Sequence, residues 1–181
     1  QTAYAMAIAY SLVPEASLST AGDRLAALVE EAGVHLATGF LGTPIVMPAL
    51  SDTGHHELAC QLLRQQSYPS WLFEVVNGAT SIWERWNGWT KENGPGDPGM
   101  HSYSHYAYGS CCEWLFTDLA GIDLVEPGYA AIRIRPRVGH AIDRAEASFR
   151  SIRGAIRSAW TTSADGKVEL AVTIPPNIRA E

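Results

Sequence analysis

The sequence is poor in cysteine. Its 181 residues include only three, Cys60, Cys111 and Cys112. An odd count with an adjacent pair argues against a disulfide framework, because neighbouring cysteines on a helix point in different directions and rarely bridge each other. We therefore expect three small, partly buried free thiols. This pattern is compatible with a reducing compartment and favours a cytoplasmic over a periplasmic or secreted location.

Positive charge and long apolar runs are also scarce. Thirteen Lys and Arg stand against 19 Asp and Glu, which gives a net charge of -6. An acidic protein repels the phosphates of nucleic acids and of anionic lipids, and no apolar run approaches the roughly 20 residues of a membrane-spanning helix. The sequence contains no Gly-rich phosphate loop, nucleophile elbow or CxxC motif. We therefore expect no nucleic-acid partner, no membrane partner and no cofactor.

Apolar residues are plentiful, at 46%, against 18% charged residues. This composition is typical of a globular protein with a sizeable core. The chain begins at Gln1 rather than at a methionine, and residues 178–181 follow strand-like sequence without an obvious stop. We therefore expect the chain to be part of a longer protein.

Helical periodicity dominates the first two thirds of the chain. Apolar residues recur at i, i+3 and i+4, and Gly, Pro, Ser, Asp and Thr stand where helices begin or end. The first predicted helix carries Tyr4, Ala7, Ile8 and Leu12, and the next two cover 18–32 and 42–50. The fourth is capped by Asp52 or Thr53 and carries Leu58 to Leu63. The last two are a short helix from Ser70 to Val76 and a helix over 104–119. Six helices in antiparallel pairs would form half of an (α/α)6 barrel. Half a barrel exposes an apolar face, so we expect a missing N-terminal half or an oligomer to cover it.

The last third alternates apolar and polar residues, which is typical of half-buried strands. Strands are predicted over 131–136, 145–150, 154–162 and 168–174, with a hairpin turn at Asp165-Gly166. Helices followed by strands indicate an α+β, multidomain protein rather than βαβ units. We place the boundary between residues 124 and 125, with part of a barrel over 1–124 and an antiparallel β domain over 125–181.

The residues best suited to chemistry lie between 79 and 109. Trp83, Trp86 and Trp89 fall within seven residues, Glu84 stands among them, and a segment from 87 to 100 holds four glycines and two prolines. We expect that segment to be an irregular surface loop. A pyranose ring packs its C–H face on indole rings, its hydroxyls bind carboxylate, Arg and His side chains, and glycosyl transfer needs carboxylates around the scissile bond. The cluster therefore indicates sugar chemistry.

Two simpler interpretations remain open on the residues alone. The three tryptophans could belong to the core, and Glu84 beside Arg85 could form a surface ion pair.

The histidines allow a metal site, because His101 and His105 are four residues apart and His55 adjoins His56. Zinc needs three or four convergent ligands, so we expect no metal. We expect His105 to face a pocket, and His55 and His56 to cap or flank a helix.

Several longer motifs occur in an order that resembles glycoside hydrolase family 78, the bacterial α-L-rhamnosidases, along nearly the whole chain. They are Gln1-Thr2-Ala3-Tyr4, 38–44 (TGFLGTP), 50–55 (LSDTGH), Tyr68-Pro69-Ser70-Trp71, 78–86 (GATSIWERW), 104–110 (SHYAYGS) and 121–136. The resemblance implies a catalytic (α/α)6 barrel followed by a C-terminal β-sandwich. It implies inverting hydrolysis of terminal α-L-rhamnose, with rhamnose-containing glycosides as substrates.

The resemblance also implies roles for individual residues. Glu84 matches the family's general base, and His105 matches a histidine that lines the site. Beyond what the resemblance implies, we expect Trp83 and Trp86 to wall the sugar pocket, with Arg85 as a further substrate-binding residue. Ser104 stands where the family commonly has Asn, which removes one hydrogen bond that an amide could make.

The family's general acid has no counterpart in this sequence, so we expect it upstream of Gln1, in the missing N-terminal half. Two alternatives stay open: another inverting (α/α)6-barrel glycosidase with a different sugar specificity, or a fragment that is structural and inactive without that half.

Overall fold

The structure is a computed structural model that describes residues 1–181. It divides into a helical unit, Gln1–Cys111, and a β unit, Cys112–Glu181. The helical unit contains α1 Thr2–Ala9, a 3-10 turn Glu15–Ser17, α2 Leu18–Glu31, α3 Thr43–Asp52, α4 His56–Arg64, α5 Trp71–Val76, two short strands β1 Trp89–Thr90 and β2 Gly94–Pro95, and a 3-10 turn Ala107–Ser110. A short α6, Cys111–Trp114, spans the division, and a π-helical turn, Leu115–Leu119, follows it.

Helices α2 and α5 match the sequence prediction closely. The predicted apolar stripe of α2 is buried at Ala21, Leu25 and Val29, and Gly33 follows the helix with a φ of 70°, a left-handed conformation that glycine adopts without strain. Ser70 caps α5 as predicted, because its hydroxyl accepts a hydrogen bond from the Phe73 N–H at 3.1 Å.

Helix α3 supplies much of the core, with Val46, Met47 and Leu50 buried. Pro44 lies in its first turn, where a missing N–H costs nothing, while Pro48 lies inside the helix. The predicted cap of α4 by Asp52 or Thr53 is wrong. Helix α3 continues to Asp52, the Thr53 hydroxyl donates back to the Ala49 carbonyl at 2.7 Å, and His55 precedes the first residue of α4.

Two other helix predictions need correction. In α1 the buried residues are Ala5 and Ile8, whereas Leu12 lies beyond the end of the helix and is exposed. Residues 107–119 are helical, starting three residues later than predicted, and pass from a 3-10 turn through a short α-helix to a π-helical turn. The Ser110 hydroxyl donates to the Ala107 carbonyl at 2.7 Å, where the 3-10 turn meets the α-helix. Later in the segment the Ala120 N–H reaches the Leu115 carbonyl, the i to i+5 spacing of a π-helix.

The β unit contains two three-stranded sheets. Their strands are β3 Ile122–Glu126, β4 Ala131–Ile134, β5 Arg144–Ser151, β6 Gly154–Thr162, β7 Val168–Thr173 and β8 Arg179–Ala180. One sheet has the order β3-β4-β8 and the other β5-β6-β7. The second sheet is an antiparallel meander in which Phe149 faces Ile156 and Trp160 faces Leu170. The hairpin at Asp165-Gly166 is as predicted. The all-antiparallel expectation is wrong for β4 and β8, which run parallel.

The core of the β unit forms around Ile122, Ile132 and Ile156, and the Trp160 indole N–H donates to the Leu119 carbonyl at 2.7 Å. Strand β3 begins before the predicted boundary at 124 and crosses it. An α+β class is thus confirmed, with a mixed sheet and an antiparallel sheet. No helix combines the length and the apolar character needed to cross a bilayer. All three cysteines are free, but Cys112 is exposed, contrary to the expectation that each would be partly buried.

Candidate active site

Glu84 lies on a short irregular strip of backbone that is hydrogen-bonded to a second strip. The Glu84 N–H donates to the Ser102 carbonyl at 2.9 Å, and the His105 N–H donates to the Ile82 carbonyl at 2.8 Å. The Ser102 N–H in turn donates to Oε2 of the Glu84 carboxylate at 3.2 Å. Segments 82–84 and 102–105 therefore lie side by side. This pairing places the predicted base and the predicted pocket histidine on neighbouring strips of backbone.

The segment between these strips is more ordered than expected. Strands β1 and β2 pair within it as a small antiparallel hairpin, and the Gly96 N–H donates to the Gly88 carbonyl at 2.8 Å. A Cβ on Gly96 would lie 2.7 Å from the Asn87 carbonyl oxygen, so the close approach requires glycine. The prediction of an irregular loop is corrected to a hairpin, which fixes the two ends of the segment beside Glu84.

Arg85 forms an ion pair, but not with Glu84. Its guanidinium Nη1 lies 3.1 Å from Oδ2 of Asp97, and both side chains are partly exposed. Asp97 also accepts a hydrogen bond from the Gly99 N–H at 2.8 Å. The pair joins the backbone next to Glu84 to the far side of the hairpin. The role of Arg85 in substrate binding stays a prediction.

Five rings form a continuous column, here called the aromatic column: Trp71, Trp86, Tyr108, Phe40 and His105. The Trp71 ring meets Trp86 edge-on at 5.5 Å between centroids, and Trp86 stacks on Tyr108 at 3.8 Å. Tyr108 contacts Phe40 at 5.2 Å, and Phe40 stacks on His105 at 4.7 Å. The Trp71 indole also donates to the Tyr108 carbonyl at 2.8 Å. The His105 ring thus stacks on the exposed Phe40, which in turn contacts the buried Tyr108.

One backbone contact bears on which His105 nitrogen can donate. Its Nδ1 is the acceptor for the Ala107 N–H, at a long 3.4 Å. A neutral imidazole has one acceptor nitrogen and one N–H, so Nε2 carries the hydrogen when Nδ1 accepts. Nε2–H is then the group available to donate to a ligand oxygen.

Trp83 and Trp86 are almost entirely buried, with 5% and 6% of their surface exposed. Trp83 meets Tyr103 edge-on at 5.7 Å, and Trp86 has one face covered by Tyr108. The structure therefore places both in the packed core, as the simpler interpretation of the cluster has it. Trp83 nonetheless lines an open cavity of about 430 Å³ together with Trp89, Tyr103 and polar residues of 77–81. Contact between these tryptophans and a sugar stays a prediction.

Sequence reasoning missed Glu74. It lies on α5, is 2% exposed, and its Oε2 accepts the Trp83 N–H at 3.2 Å. Its other oxygen, Oε1, is buried without a hydrogen-bond partner. Burial raises the pKa of the Glu74 carboxyl to about 7, although the Trp83 N–H acts in the opposite direction. The available signal was a single carboxylate within the otherwise apolar segment Trp71–Val76.

The histidines outside the strip contact other side chains. His55 Nε2 lies 3.0 Å from Asp23 Oδ1, and His56 Nδ1 lies 3.0 Å from the Ser51 hydroxyl. His55 directly precedes α4 and His56 begins it, so the prediction that they flank a helix is confirmed. His101 is exposed on the segment before His105. No three His, Cys, Asp or Glu side chains converge closely enough to hold a metal ion.

Two family models match the chain. Residues 1–119 match the bacterial α-L-rhamnosidase 6 hairpin glycosidase domain, and residues 121–181 match the bacterial α-L-rhamnosidase C-terminal domain. An α-L-rhamnosidase of Streptomyces avermitilis is 43% identical over the whole chain, which spans 18% of that relative's length.

Solved structures agree with these matches. A crystal structure of the Streptomyces avermitilis α-L-rhamnosidase complexed with L-rhamnose superposes with a TM-score of 0.91 at 42% identity, covering 99% of this chain and 17% of that one. An α-L-rhamnosidase from Aspergillus terreus superposes with a TM-score of 0.93 at 32% identity, covering 99% of this chain and 21% of that one. The paired strips around Glu84, the helical unit and the β unit all lie within the matched residues, and the chain belongs to the bacterial α-L-rhamnosidase family.

Proposed function

We propose that the complete protein carrying this chain is an α-L-rhamnosidase that removes terminal α-L-rhamnose from rhamnosides with inversion, and that Glu84 is its general base. The observation that carries the proposal is the pairing of segments 82–84 and 102–105, in which the Glu84 carboxylate accepts the N–H of Ser102, three residues before His105. Family membership supports the reaction class. The relatives named above are α-L-rhamnosidases, and the chain spans about a fifth of their length.

The architecture of the complete protein is part of the proposal. The helical unit would supply half of an (α/α)6 barrel, and the β unit would be a C-terminal β-sandwich. The six-hairpin description of the matching family domain supports the first statement, and the two three-stranded sheets support the second. The other half of the barrel would come from upstream sequence and carry the general acid.

The proposed reaction is a single displacement. Glu84 takes a proton from a water molecule, the water oxygen forms a bond to the anomeric carbon, and the bond from that carbon to the leaving oxygen breaks. The upstream acid gives its proton to the leaving oxygen, so charge and protons balance. The two carboxyl groups should lie roughly 6.5–9.5 Å apart, because the water must fit between Glu84 and the sugar.

The neighbouring residues would have supporting roles. His105 would donate from Nε2–H to a sugar hydroxyl or to the attacking water. Trp83 would form an apolar wall through the edge that reaches the cavity, and Arg85 would bind a hydroxyl while it holds Asp97. Trp86 would contribute to the wall mainly through Tyr108, because one of its faces is covered.

The test is hydrolysis of 4-nitrophenyl α-L-rhamnoside by the complete protein, with Glu84→Gln as the variant and Glu92→Gln as the matched control. Glu92 is an exposed carboxylate of the same hairpin. Removing a general base costs about 10² to 10⁴ in kcat, and Glu92→Gln should leave kcat unchanged. Proton NMR of the first product should show β-L-rhamnose. Full activity in Glu84→Gln, or α-L-rhamnose as the first product, would contradict the proposal.

Two other outcomes separate the alternatives. A panel of aryl glycosides would identify another inverting glycosidase if a different sugar were cleaved faster than rhamnose. The 181-residue chain assayed alone tests the fragment alternative, because an aryl leaving group needs little protonation and tolerates a missing acid. Activity that Glu84→Gln abolishes would mean that this chain assembles the site by itself. No activity would mean that the remaining sequence completes the pocket.

A further inference from the structure

Glu74 holds both ends of the segment that leads to Glu84. Its main-chain carbonyl accepts the Ala79 N–H at 3.0 Å, and its side-chain Oε2 accepts the Trp83 N–H at 3.2 Å. Residues 79–83 are therefore closed into a loop by one residue of α5. That helix is anchored at its start by the Ser70 cap and through the Trp71 indole to Tyr108.

No other acceptor binds the Trp83 N–H, and the residue is buried. An unpaired buried N–H is costly, so loss of the Glu74 acceptor would drive the Trp83 peptide to turn toward water or another acceptor. The next residue along the chain is Glu84. A rotation of the Trp83 peptide would change the direction in which the Glu84 side chain leaves the backbone.

The Glu74 side chain is poorly suited to a purely structural role. Its Oε1 is buried without a partner, a cost that an apolar residue of the same size would avoid. The titratable neighbour that interacts with it is Tyr108, whose pKa is raised by burial and by Glu74. The charge of Arg85 acts to lower the pKa of Tyr108. The ion pair of Arg85 is with Asp97 and not with Glu74. What the carboxyl adds at this place is an acceptor for Trp83.

We propose that Glu74 is a positioning residue for Glu84: it fixes the Trp83 peptide and thereby sets where the Glu84 carboxylate meets the attacking water. Glu74 itself does not touch the substrate. The expected effect on rate rests on the proposed role of Glu84. That Glu74 fixes the Trp83 peptide does not depend on that role.

The test compares Glu74→Gln with Glu74→Met in the complete protein. Both substitutions remove the buried ionisable group and keep the side-chain length, but only glutamine retains an oxygen that accepts the Trp83 N–H. Hydrogen exchange measured by mass spectrometry follows the Trp83 amide in both variants. We expect exchange about tenfold faster than wild type in Glu74→Met, and within about threefold of wild type in Glu74→Gln.

Kinetics on 4-nitrophenyl α-L-rhamnoside provide the second readout. Misplacement of a catalytic group by about 1 Å can lower the rate about 100-fold. We therefore expect kcat to fall about 10- to 100-fold in Glu74→Met, with KM little changed, and to stay near the wild-type value in Glu74→Gln. In a Glu84→Gln background the two Glu74 variants should have equal residual rates, because the group being positioned is gone.

Three results would overturn the inference. Equal exchange at Trp83 in both variants would mean that Glu74 does not hold that peptide. Loss of kcat in Glu74→Gln to the level of Glu74→Met would mean that the acceptor is not the relevant feature. If Glu74→Met lowered kcat relative to Glu74→Gln as much in the Glu84→Gln background as in wild type, the effect would be a general structural one. If wild type cleaves no rhamnoside, the proposed function fails, and the exchange data still decide whether Glu74 holds the Trp83 peptide.

Discussion

The aromatic column and the hairpin segment, meaning residues 84–102 without Trp86, border the same backbone but are held together by different forces. The column is closed by ring stacking and buried hydrogen bonds, with Trp71, Trp86 and Tyr108 almost out of contact with solvent. The hairpin segment is held by hydrogen bonds near the surface, the Gly96 contact and the exposed pair Arg85–Asp97. The base candidate Glu84 lies where the two regions meet.

This difference indicates that the two regions have separate roles. Buried rings have high packing density and give a rigid frame, whereas a carboxylate that must exchange protons with water has to remain accessible. Glu74 belongs to the buried side and Glu84 to the open side, although they are ten residues apart. Substitutions in the column should therefore change stability first, and substitutions in the hairpin segment should change activity with little effect on stability.

The largest expected effect is the substitution Trp86→Ala. It removes a buried indole that contacts Trp71 and Tyr108, and truncations of this kind cost about 3–5 kcal/mol. Hydrogen exchange of α5 in the complete protein should report a loss of that order in local opening free energy.

Trp89→Ala is the matched control for Trp86→Ala, because Trp89 is only half-buried on β1, and it should cost much less. Trp86→Phe retains a ring against Tyr108 and should keep most of the activity. A loss of activity in Trp86→Phe without any loss of stability would mean that Trp86 contacts the sugar directly.

The second effect is the pH dependence that comes from Glu74. Its pKa is raised from 4.5 to about 7, so the folded state binds the proton more tightly than the unfolded state does. The resulting stabilisation is complete below about pH 4.5 and is lost as the pH rises through 7. The difference amounts to about 3 kcal/mol, at 1.36 kcal/mol per pKa unit.

Glu74→Gln should abolish this dependence. Urea unfolding of the complete protein at pH 5 and pH 8 should show wild type losing stability, relative to Glu74→Gln, between the two values. If wild type and Glu74→Gln differed in unfolding free energy by the same amount at both pH values, the Glu74 carboxyl would keep one protonation state between them. Burial would then not raise its pKa into this range.

How far the sequence predicts this structure depends on the range of the interactions. Local signals worked where one residue decides the geometry, as with the Ser70 cap, Gly33 after α2 and the Asp165-Gly166 turn. The helix predicted over 104–119 is present over 107–119 as successive 3-10, α and π turns, because periodicity marks the apolar face and not which carbonyl each N–H reaches.

The candidate site was predicted in part, for a similar reason. The pattern identified Glu84 and His105, and the structure places both on paired strips, but their functional roles stay predictions. Glu74 was not identified, because its importance comes from a hydrogen bond to Trp83, nine residues away, which no local pattern encodes. The pairing of Arg85 with Asp97 depends likewise on how the hairpin folds back.

A third and smaller effect is expected from Phe40→Leu, at the point where the aromatic column meets the site. Phe40 stacks on His105, and such ring pairs contribute about 0.5–1.5 kcal/mol beyond their buried area. If the stack orients His105 for substrate, kcat/KM should fall by about 3- to 10-fold. Phe116→Leu in the β unit is the matched control, since the two phenylalanines are almost equally exposed. Equal kinetics in both variants would mean that the column ends before His105.

The smallest expected effect concerns the hairpin's ion pair. Arg85 and Asp97 are partly exposed, and such pairs contribute about 0–1 kcal/mol, so Arg85→Gln should reduce stability by less than about 1 kcal/mol.

A double-mutant cycle with Asp97→Asn separates the two possible roles of Arg85. If the arginine only holds the hairpin, the single variants and the double variant should share the same KM for the rhamnoside. If Arg85 binds a sugar hydroxyl, Arg85→Gln should raise KM well beyond the effect of Asp97→Asn. Stability coupling well above 1 kcal/mol would instead mean that the hairpin is as tightly held as the aromatic column, and the contrast between the two regions would be lost.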